Sequence, residues 1–428
     1  MKKALLLAGA SAAYLVTTAS HAMSFGTFDP RSMAMGGTGV ASGTGANASY
    51  YNPALLAIAR DENDFDLVLP TFGVRVADPA SIRGDLDDFQ DADYIQLFED
   101  AILSFNAATT LPELQTAASD TVAAARDLQT ELVNFSGDPL VIDANVGFAL
   151  AIPNETLGIA LYVNSRAVGG GELNVTDEDI ALTDEYINEL ESVFVDGNLP
   201  DPTSPIYAGT DFDLVIPTDD FTSTADGRGA VITEAGVSLA NEFASLGGLA
   251  LGITPKYVRT DTFDYSLDVD TAEFDLEENR KAYSDFNFDL GAAIQLGGGW
   301  KLGLVGKYLI AKEYETFLGN TVELNPQVRA GVAWETDTLT IAVDADLTKN
   351  DPLGFDGQTQ FLAGGVELDV ADTVQVRAGY SRNMADNVIG DPSLFSVGLG
   401  FTFGVRIDLA VAGNSDDLAA GLLLGASF

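Results

Sequence analysis

From residue 65 to the C-terminus the chain alternates apolar and polar positions in short stretches. At its end, Leu418, Ala420, Leu422, Leu424, Ala426 and Phe428 share one face, and Ala419, Gly421, Leu423, Gly425 and Ser427 the other. Upstream, Phe395, Val397, Leu399, Phe401 and Phe403 alternate with Ser396, Gly398, Gly400, Thr402 and Gly404. A period of two predicts β-strands, because successive side chains of a strand point to opposite faces. Fourteen such stretches occur, near 65–77, 139–152, 157–175, 228–243, 248–270, 282–296, 300–318, 326–335, 338–350, 358–371, 373–384, 394–404, 406–413 and 418–428. The less apolar face carries glycine and small residues rather than long charged side chains. That composition suits a crowded lumen better than a water-facing sheet.

Beyond residues 1–22 no uncharged apolar run approaches the ~18 residues of a spanning helix. The other way to cross a bilayer is a closed β-barrel. An even strand count places both barrel ends on one side, the periplasmic side in bacterial outer membranes. Asn154-Glu155, Gly297 to Gly299, Glu335 to Asp337, Ala371-Asp372 and Asp416-Asp417 read as tight turns. The links 78–138 and 172–227 are long and read as extracellular inserts. Within them Ile95, Phe98, Ile102 and Phe105 recur at helical spacing, as do Leu114, Ala118, Thr121, Ala125, Leu128 and Leu132. Thr110 with Glu113 forms a capping-box pattern, with Pro112 in the first turn. Thr183 is placed to cap a third helix carrying Ile187, Leu190 and Phe194.

Charge and composition narrow the chemistry. The 428 residues hold 64 acids against 21 bases, a net charge of −43, with one His and no Cys. Residues 1–22 read as a secretory signal: Lys2 and Lys3, an apolar run from Ala4, then Ser20-His21-Ala22 as a cleavage site. Its removal takes away the only histidine. The mature chain then lacks Ser-His-Asp and Cys-His catalysis, thiol redox chemistry and His- or Cys-based zinc sites. No enzyme activity and no cofactor are expected. Direct nucleic-acid binding is disfavoured, since phosphate contacts need Lys and Arg. Residues 78–138 carry 13 acids and two bases, and 172–227 carry 15 acids and no base. Solvation of an exposed surface is the simplest use of that charge. Calcium at Asp85, Asp87, Asp88, Asp91 and Asp93, or at Asp177, Glu178 and Asp179, is a second use, although neither run fits an EF-hand loop. A protein partner docking on the acidic loops is a third.

The organisation expected is a signal at 1–22, an N-terminal segment at 23–64 and a barrel at 65–428 with acidic helical inserts at 78–138 and 172–227. The N-terminal segment reads Ser32-Met33-Ala34-Met35-Gly36-Gly37-Thr38-Gly39-Val40-Ala41, then Tyr50-Tyr51-Asn52-Pro53-Ala54-Leu55-Leu56-Ala57. Its glycines permit a compact path in tight space. No strand precedes them and no Gly-Lys-Ser/Thr follows, so a phosphate-binding loop is excluded. Its aromatic and apolar content argues against a disordered linker.

This pairing of a glycine run with Asn52-Pro53-Ala54, between a signal and a barrel that ends in Phe, resembles the FadL-type outer-membrane transporter superfamily. Within it, the acidic helical insert is similar to the conjugal-transfer, TraF-like branch. The resemblance spans about 23–77 and 139–428. It implies an all-β transmembrane barrel of about 14 antiparallel strands, an N-terminal hatch inside it and helical extracellular inserts. It implies passive uptake of hydrophobic or amphipathic molecules such as long-chain fatty acids or hydrocarbons. The alternative is a structural or interaction barrel associated with conjugal transfer. Leu55 stands where the transporters continue the motif with Gly. Another transfer protein of the same name is thioredoxin-like, and a cysteine-free chain cannot perform that chemistry.

Strand parity points Arg166, Lys256, Lys307, Arg329 and Arg377 into the lumen, with Asp143, Glu234, Asp289, Asp344, Glu367 and Asp408. The expected pairs are Asp289 with Lys307, Arg329 with Asp344 and Glu367 with Arg377. Lys307 and Arg329, on adjacent strands, are the candidates for holding a ligand carboxylate. Gly169-Gly170-Gly171 interrupts the third strand. The resembled transporters have an inward kink in that strand that opens the wall, so these glycines are the candidate lateral exit. The partners implied are outer-membrane lipid and a hydrophobic small molecule.

Overall fold

The computed structural model describes residues 25–58, 65–79, 92–154, 156–208, 212–216, 221–268, 279–371 and 373–427. The signal at 1–22, residues 59–64, Asp85, Asp87, Asp88, Asp91 and the terminal Phe428 lie outside them.

Fourteen strands close one antiparallel barrel. In chain order they are β1 Asp66–Ala77, β2 Leu140–Ile152, β3 Gly158–Asn174, β4 Thr224–Phe243 and β5 Leu249–Asp268. Then come β6 Arg280–Gln295, β7 Trp300–Lys307, β8 Gln327–Glu335, β9 Leu339–Asp346 and β10 Phe361–Ala371. The last four are β11 Val374–Asn383, β12 Ser393–Thr402, β13 Arg406–Gly413 and β14 Asp417–Ser427. Each strand pairs with its chain neighbours, and β14 returns to β1. Closure removes the unpaired edges that hydrocarbon cannot hydrate. The outer face is apolar: Leu161, Val163, Leu251, Ile253, Leu302, Val376, Val397 and Leu409 are all exposed. No helix is long and apolar enough to cross a membrane. This is the architecture of an outer-membrane β-barrel.

The predicted strands hold, with two departures. The stretch 300–318 ends as a barrel strand at Lys307. Tyr308 takes a left-handed backbone (φ 52°), and its N–H donates to Asp289 Oδ1 at 2.9 Å. Its ring turns inward under Lys256, whose Nζ lies 3.6 Å from the ring centroid. The chain beyond it forms a separate ribbon, Lys312–Glu315 with Thr321–Leu324. In β1 the register shifts between Leu69 and Thr71. Pro70 has no N–H to give to the ladder, so the strand bulges there.

The link after β1 holds helices Tyr94–Ala107 and Leu111–Phe135, and the link after β3 holds Asp177–Phe194. They make one cap with its own core, in which Phe98, Ile102, Ala125, Leu128, Tyr186 and Leu190 are buried together. The capping box at Thr110 and Glu113 is present. The third helix departs from expectation. Its N-cap is Thr176, and Thr183 sits mid-helix, its hydroxyl donating to Ile180 O at 2.9 Å. Asp179, not seen as structural from sequence, ties this helix to the start of β4. It accepts from Thr222 N at 2.9 Å, Ser223 N at 2.8 Å and the Ser223 hydroxyl. Burial pushes its pKa up, but the hydrogen bonds from Ser223 and Thr222 outweigh that and hold it below the usual carboxylate value. A depressed native pKa contributes stability above the unfolded value, lost as pH falls through the folded value. Amide protection factors in 177–194, which correct for the intrinsic pH dependence of exchange, are therefore expected to fall on acidification below about pH 3.8, the unperturbed value. Asp179→Asn should exchange faster at neutral pH and show a much weaker acid response. An unchanged acid response in Asp179→Asn would remove the carboxylate from this role.

Candidate functional site

Residues 25–58 thread the barrel interior as a hatch. They form a short helix α1 (Pro30–Ala34), a 3-10 turn (Gly45–Asn47), helix α2 (Ala48–Tyr51) and a second 3-10 turn (Pro53–Ala57). Asn52 and Ala54 are fully buried inside the wall, and Pro53 between them is buried too. Asn52 Oδ1 accepts from Ala54 N at 3.1 Å, which caps the turn that Pro53 starts. Asn52 Nδ2 donates to Val40 O at 3.0 Å and to Ala292 O of β6 at 3.2 Å. The motif thus ties the second half of the hatch to its middle at Val40 and fastens it to the wall at Ala292.

The wall makes room by losing side chains where the hatch backbone touches it. Gly252 faces Gly291, Gly303 faces Gly331, and Gly365 faces Gly379 across neighbouring strands. A Cβ on Gly252 would lie 2.5 Å from Ala54 N, and one on Gly365 2.5 Å from Met35 Cα. Both approaches are shorter than any side chain tolerates.

Charges hold the other half of the hatch. Asp29 and Arg31 are the only charged residues between 25 and 58. Arg31 makes a bidentate pair with Glu367, both bonds 2.8 Å, and Nη1 donates to Ser42 O at 2.6 Å. Glu367 also pairs with Arg377 at 2.5 Å, as parity predicts, and Arg377 reaches Asp408 at 2.6 Å. Two other pairings differ from expectation. Lys256, not Lys307, pairs with Asp289 at 2.9 Å, and it also meets Glu234 at 2.9 Å. Arg329 pairs with Asp346 at 2.5 Å, while Asp344 accepts from Gly39 N and Val40 N at 2.8 and 2.9 Å. Parity names the face a residue occupies. Which partner it takes depends on strand stagger and on the hatch backbone, which offers donors of its own. Arg31 was overlooked in the sequence; a lone base in an otherwise nearly uncharged buried segment is the signal that could have found it.

The two candidate carboxylate holders do not converge on one opening. Lys307 Nζ donates to Tyr50 O at 3.1 Å and lies 4.3 Å from the Phe28 ring centroid. It is sealed under the hatch. Arg329 donates to Gly37 O at 3.1 Å, and its guanidinium lies 4.2 Å over the Phe25 ring. Arg329 does line a cavity of about 150 Å³ between the hatch and the long-loop end of the barrel. Phe25, Met33, Phe361 and Leu394 give that cavity apolar surface, and its charged lining sets Arg75, Arg166 and Arg329 among Asp143, Asp356, Asp391 and Asp417, with Arg75 paired to Asp356 and Asp417. Arg166 is itself paired with Asp143. The β9–β10 link roofs the mouth: Leu353 is buried against Val168, Ile232 and Tyr314, and Asp356 pairs with Arg75 at 3.0 Å.

The triglycine does not open the wall. Gly169, Gly170 and Gly171 pair in register with Ile142, Val141 and Leu140 on one side and Gly229, Arg228 and Gly227 on the other. Glycine permits a kink, but both ladders run unbroken through these positions. The wall is thin elsewhere. A depression of about 570 Å³ on the outer face spans β14, β1, β2 and β3, and it shares Gly73, Val74 and Asn145 with the inner cavity. Asn145 fills the space beside Gly73 that a side chain would take, and its Nδ2 donates to Phe28 O of the hatch at 3.3 Å. Among the described residues no cluster of three His, Cys, Asp or Glu is placed to hold a metal.

The family model described as F plasmid transfer operon, TraF, protein matches residues 49–346. No curated protein matches the sequence. Among solved structures, the chain is similar to the toluene transporter TodX of P. putida, with 12% identity, 94% of this chain and 98% of that chain covered, and a TM-score of 0.48. It is similar to the toluene transporter TbuX of Ralstonia pickettii, with 12% identity, 95% and 99% covered, and a TM-score of 0.48. A Pseudomonas aeruginosa FadL homologue gives 12% identity, 94% and 98% covered, and a TM-score of 0.48.

Proposed function

We propose, from the premise that this chain belongs to the F plasmid transfer operon TraF family, that it is an outer-membrane barrel admitting an amphipathic or hydrophobic small molecule. The long-loop end faces the exterior in this reading, and the hatch closes the path to the periplasm. One observation carries it: the apolar cavity with Arg329 in its lining meets an outer-face depression across a strip of wall that includes Gly73. A carboxylate or other polar head would be held at the arginines and an apolar tail against Phe25, Met33 and Leu394. Asn145, latched to the hatch at Phe28, is the side chain that shuts the wall. Nothing in this path needs a nucleophile, a general base or a cofactor.

The test is chemical. Protein purified from its own membranes in mild detergent should carry a fatty acid or hydrocarbon in solvent extracts. Ala412→Phe, which fills the cavity from β13, should lose that molecule while keeping the barrel folded. Extracts as empty for the native chain as for the filled variant would sink the reading.

The helical cap supports a second role. Its separate core and acidic surface are more than a channel mouth requires, and the family name points to a transfer apparatus. In that reading the barrel anchors a surface module that meets a protein partner. Excising the cap should then abolish partner association and leave uptake intact.

A further inference from the structure

The outer face of the barrel repeats one four-residue arrangement at two separate places. On β5 and β6, Tyr257 stands opposite Phe286, and Arg259 stands opposite Ser284 on the next outward rung. On β11 and β12, Tyr380 stands opposite Phe395, and Arg382 stands opposite Ser393. The ring pairs have centroid separations of 5.8 and 5.0 Å. In both, the tyrosine hydroxyl reaches the serine hydroxyl across the ladder, at 2.7 and 3.1 Å. The sequence shows the same spacing, Tyr257-Val258-Arg259 and Tyr380-Ser381-Arg382.

Depth gives the repetition a meaning. Below the first quartet the outward positions Leu251 and Ile253 are exposed and apolar, and below the second so is Val376. Tilted strands rise so that Arg259 lies about 25 Å above Leu249, and Arg382 about 20 Å above Val374. That is the far edge of the hydrocarbon band. Tyrosine and phenylalanine mark the boundary between acyl chains and headgroups. The arginine on the next rung then stands among headgroups on the long-loop side. A guanidinium there meets lipid phosphate with two parallel hydrogen bonds.

Charge favours an anionic occupant. The chain carries −43 overall, so a phosphate-bearing lipid can be held only where exposed cations stand at the leaflet. At the first quartet Arg259 and Arg280 bracket Asp261 at 2.9 and 2.6 Å, leaving a net single positive charge with both guanidinia partly exposed. At the second, Arg382 is exposed and makes no ion pair among the described residues, while Asp391 is engaged with the Ser393 N–H at 2.9 Å. Each place therefore offers a guanidinium with free donors beside an aromatic pair that an acyl chain can cover.

We propose that these quartets are two equivalent binding sites for a phosphorylated lipid of the outer leaflet, with Arg259 and Arg280 serving one and Arg382 the other. The sites lie outside the lumen and are independent of uptake.

The full-length barrel, reconstituted in phosphatidylcholine nanodiscs doped with bisphosphoryl lipid A, would be released and weighed by native mass spectrometry. The native protein should retain two glycolipids. Arg382→Gln should retain one, the Arg259→Gln, Arg280→Gln pair should retain one, and the triple variant none, with circular dichroism unchanged. Two glycolipids on the triple variant would overturn the proposal. So would equal retention of the dephosphorylated glycolipid, or full release of the bound lipid by inorganic phosphate at constant ionic strength.

Discussion

Glu367→Ala should free the N-terminal half of the hatch. Its carboxylate is shared by Arg31 at 2.8 Å and Arg377 at 2.5 Å, both mostly shielded from water. Arg377 keeps Asp408 when Glu367 goes, but Arg31 keeps only the Ser42 carbonyl among the bonds described. Removing one partner of a buried pair strands the other charge and costs about 3–5 kcal/mol. Seven hydrogen bonds to the wall remain on this half, two at Phe28 and one each at Ala34, Gly36, Gly37, Gly39 and Val40, and each contributes about 1 kcal/mol net. The loss is therefore about half of what those bonds supply together. Trypsin, which cannot reach Arg31 in the closed barrel, should cut after it in the variant while the strands resist. Glu367→Gln should fall between the two. Equal protection of Arg31 in Glu367→Ala would show that packing alone seats the hatch.

Gly252→Val should displace the other half and open a pore. The new side chain would occupy the place of Ala54 N and Pro53, so either wall or hatch must give. The wall is bonded along a ladder of fifteen residue pairs between β5 and β6 and a longer one between β4 and β5. The hatch at this point is a short turn fastened by Asn52. Overpacking costs of about 1–3 kcal/mol are within what such a turn can lose and well below what the ladders resist. A fourteen-stranded barrel without its hatch encloses water, so conductance across a planar bilayer should rise from a closed level to that of an open pore. Gly252→Ala should raise it less. A closed trace in Gly252→Val, with the protein folded, would mean that the hatch relaxes without leaving the lumen.

The barrel itself was legible because its cause is local. A membrane demands alternate apolar residues along every strand, and Leu418 to Leu424 or Phe395 to Phe401 display that demand without reference to any partner. The capping box at Thr110 and the faces of the first two cap helices are local in the same sense. Asn52-Pro53-Ala54 stood out through its resemblance to the FadL-type pattern, and the capped turn it makes is what the structure adds. Inward parity of Arg166, Lys256, Lys307, Arg329 and Arg377 followed from the period of two.

What parity could not supply was the partner. Lys307 ended over Phe28 rather than beside Asp289, and Arg329 chose Asp346 over Asp344, because the hatch inserts backbone donors, carbonyls and rings between the strands. Those contacts join residues some three hundred positions apart in the chain. The triglycine was read as a kink because glycine allows one, yet two intact ladders deny it. The thin part of the wall formed instead around Gly73 and Asn145, paired across β1 and β2 and flanked by β14, which meets β1 only when the barrel closes. The sequence alone therefore determined a closed, membrane-spanning, cysteine-free barrel with a glycine-rich interior, since each of those properties is written in single residues or their spacing. The seating of the hatch, the choice of ion pairs, the position of the cavity and the two Tyr-Phe-Arg-Ser quartets were decided by tertiary structure, because each depends on the relative stagger of strands, which no single strand encodes.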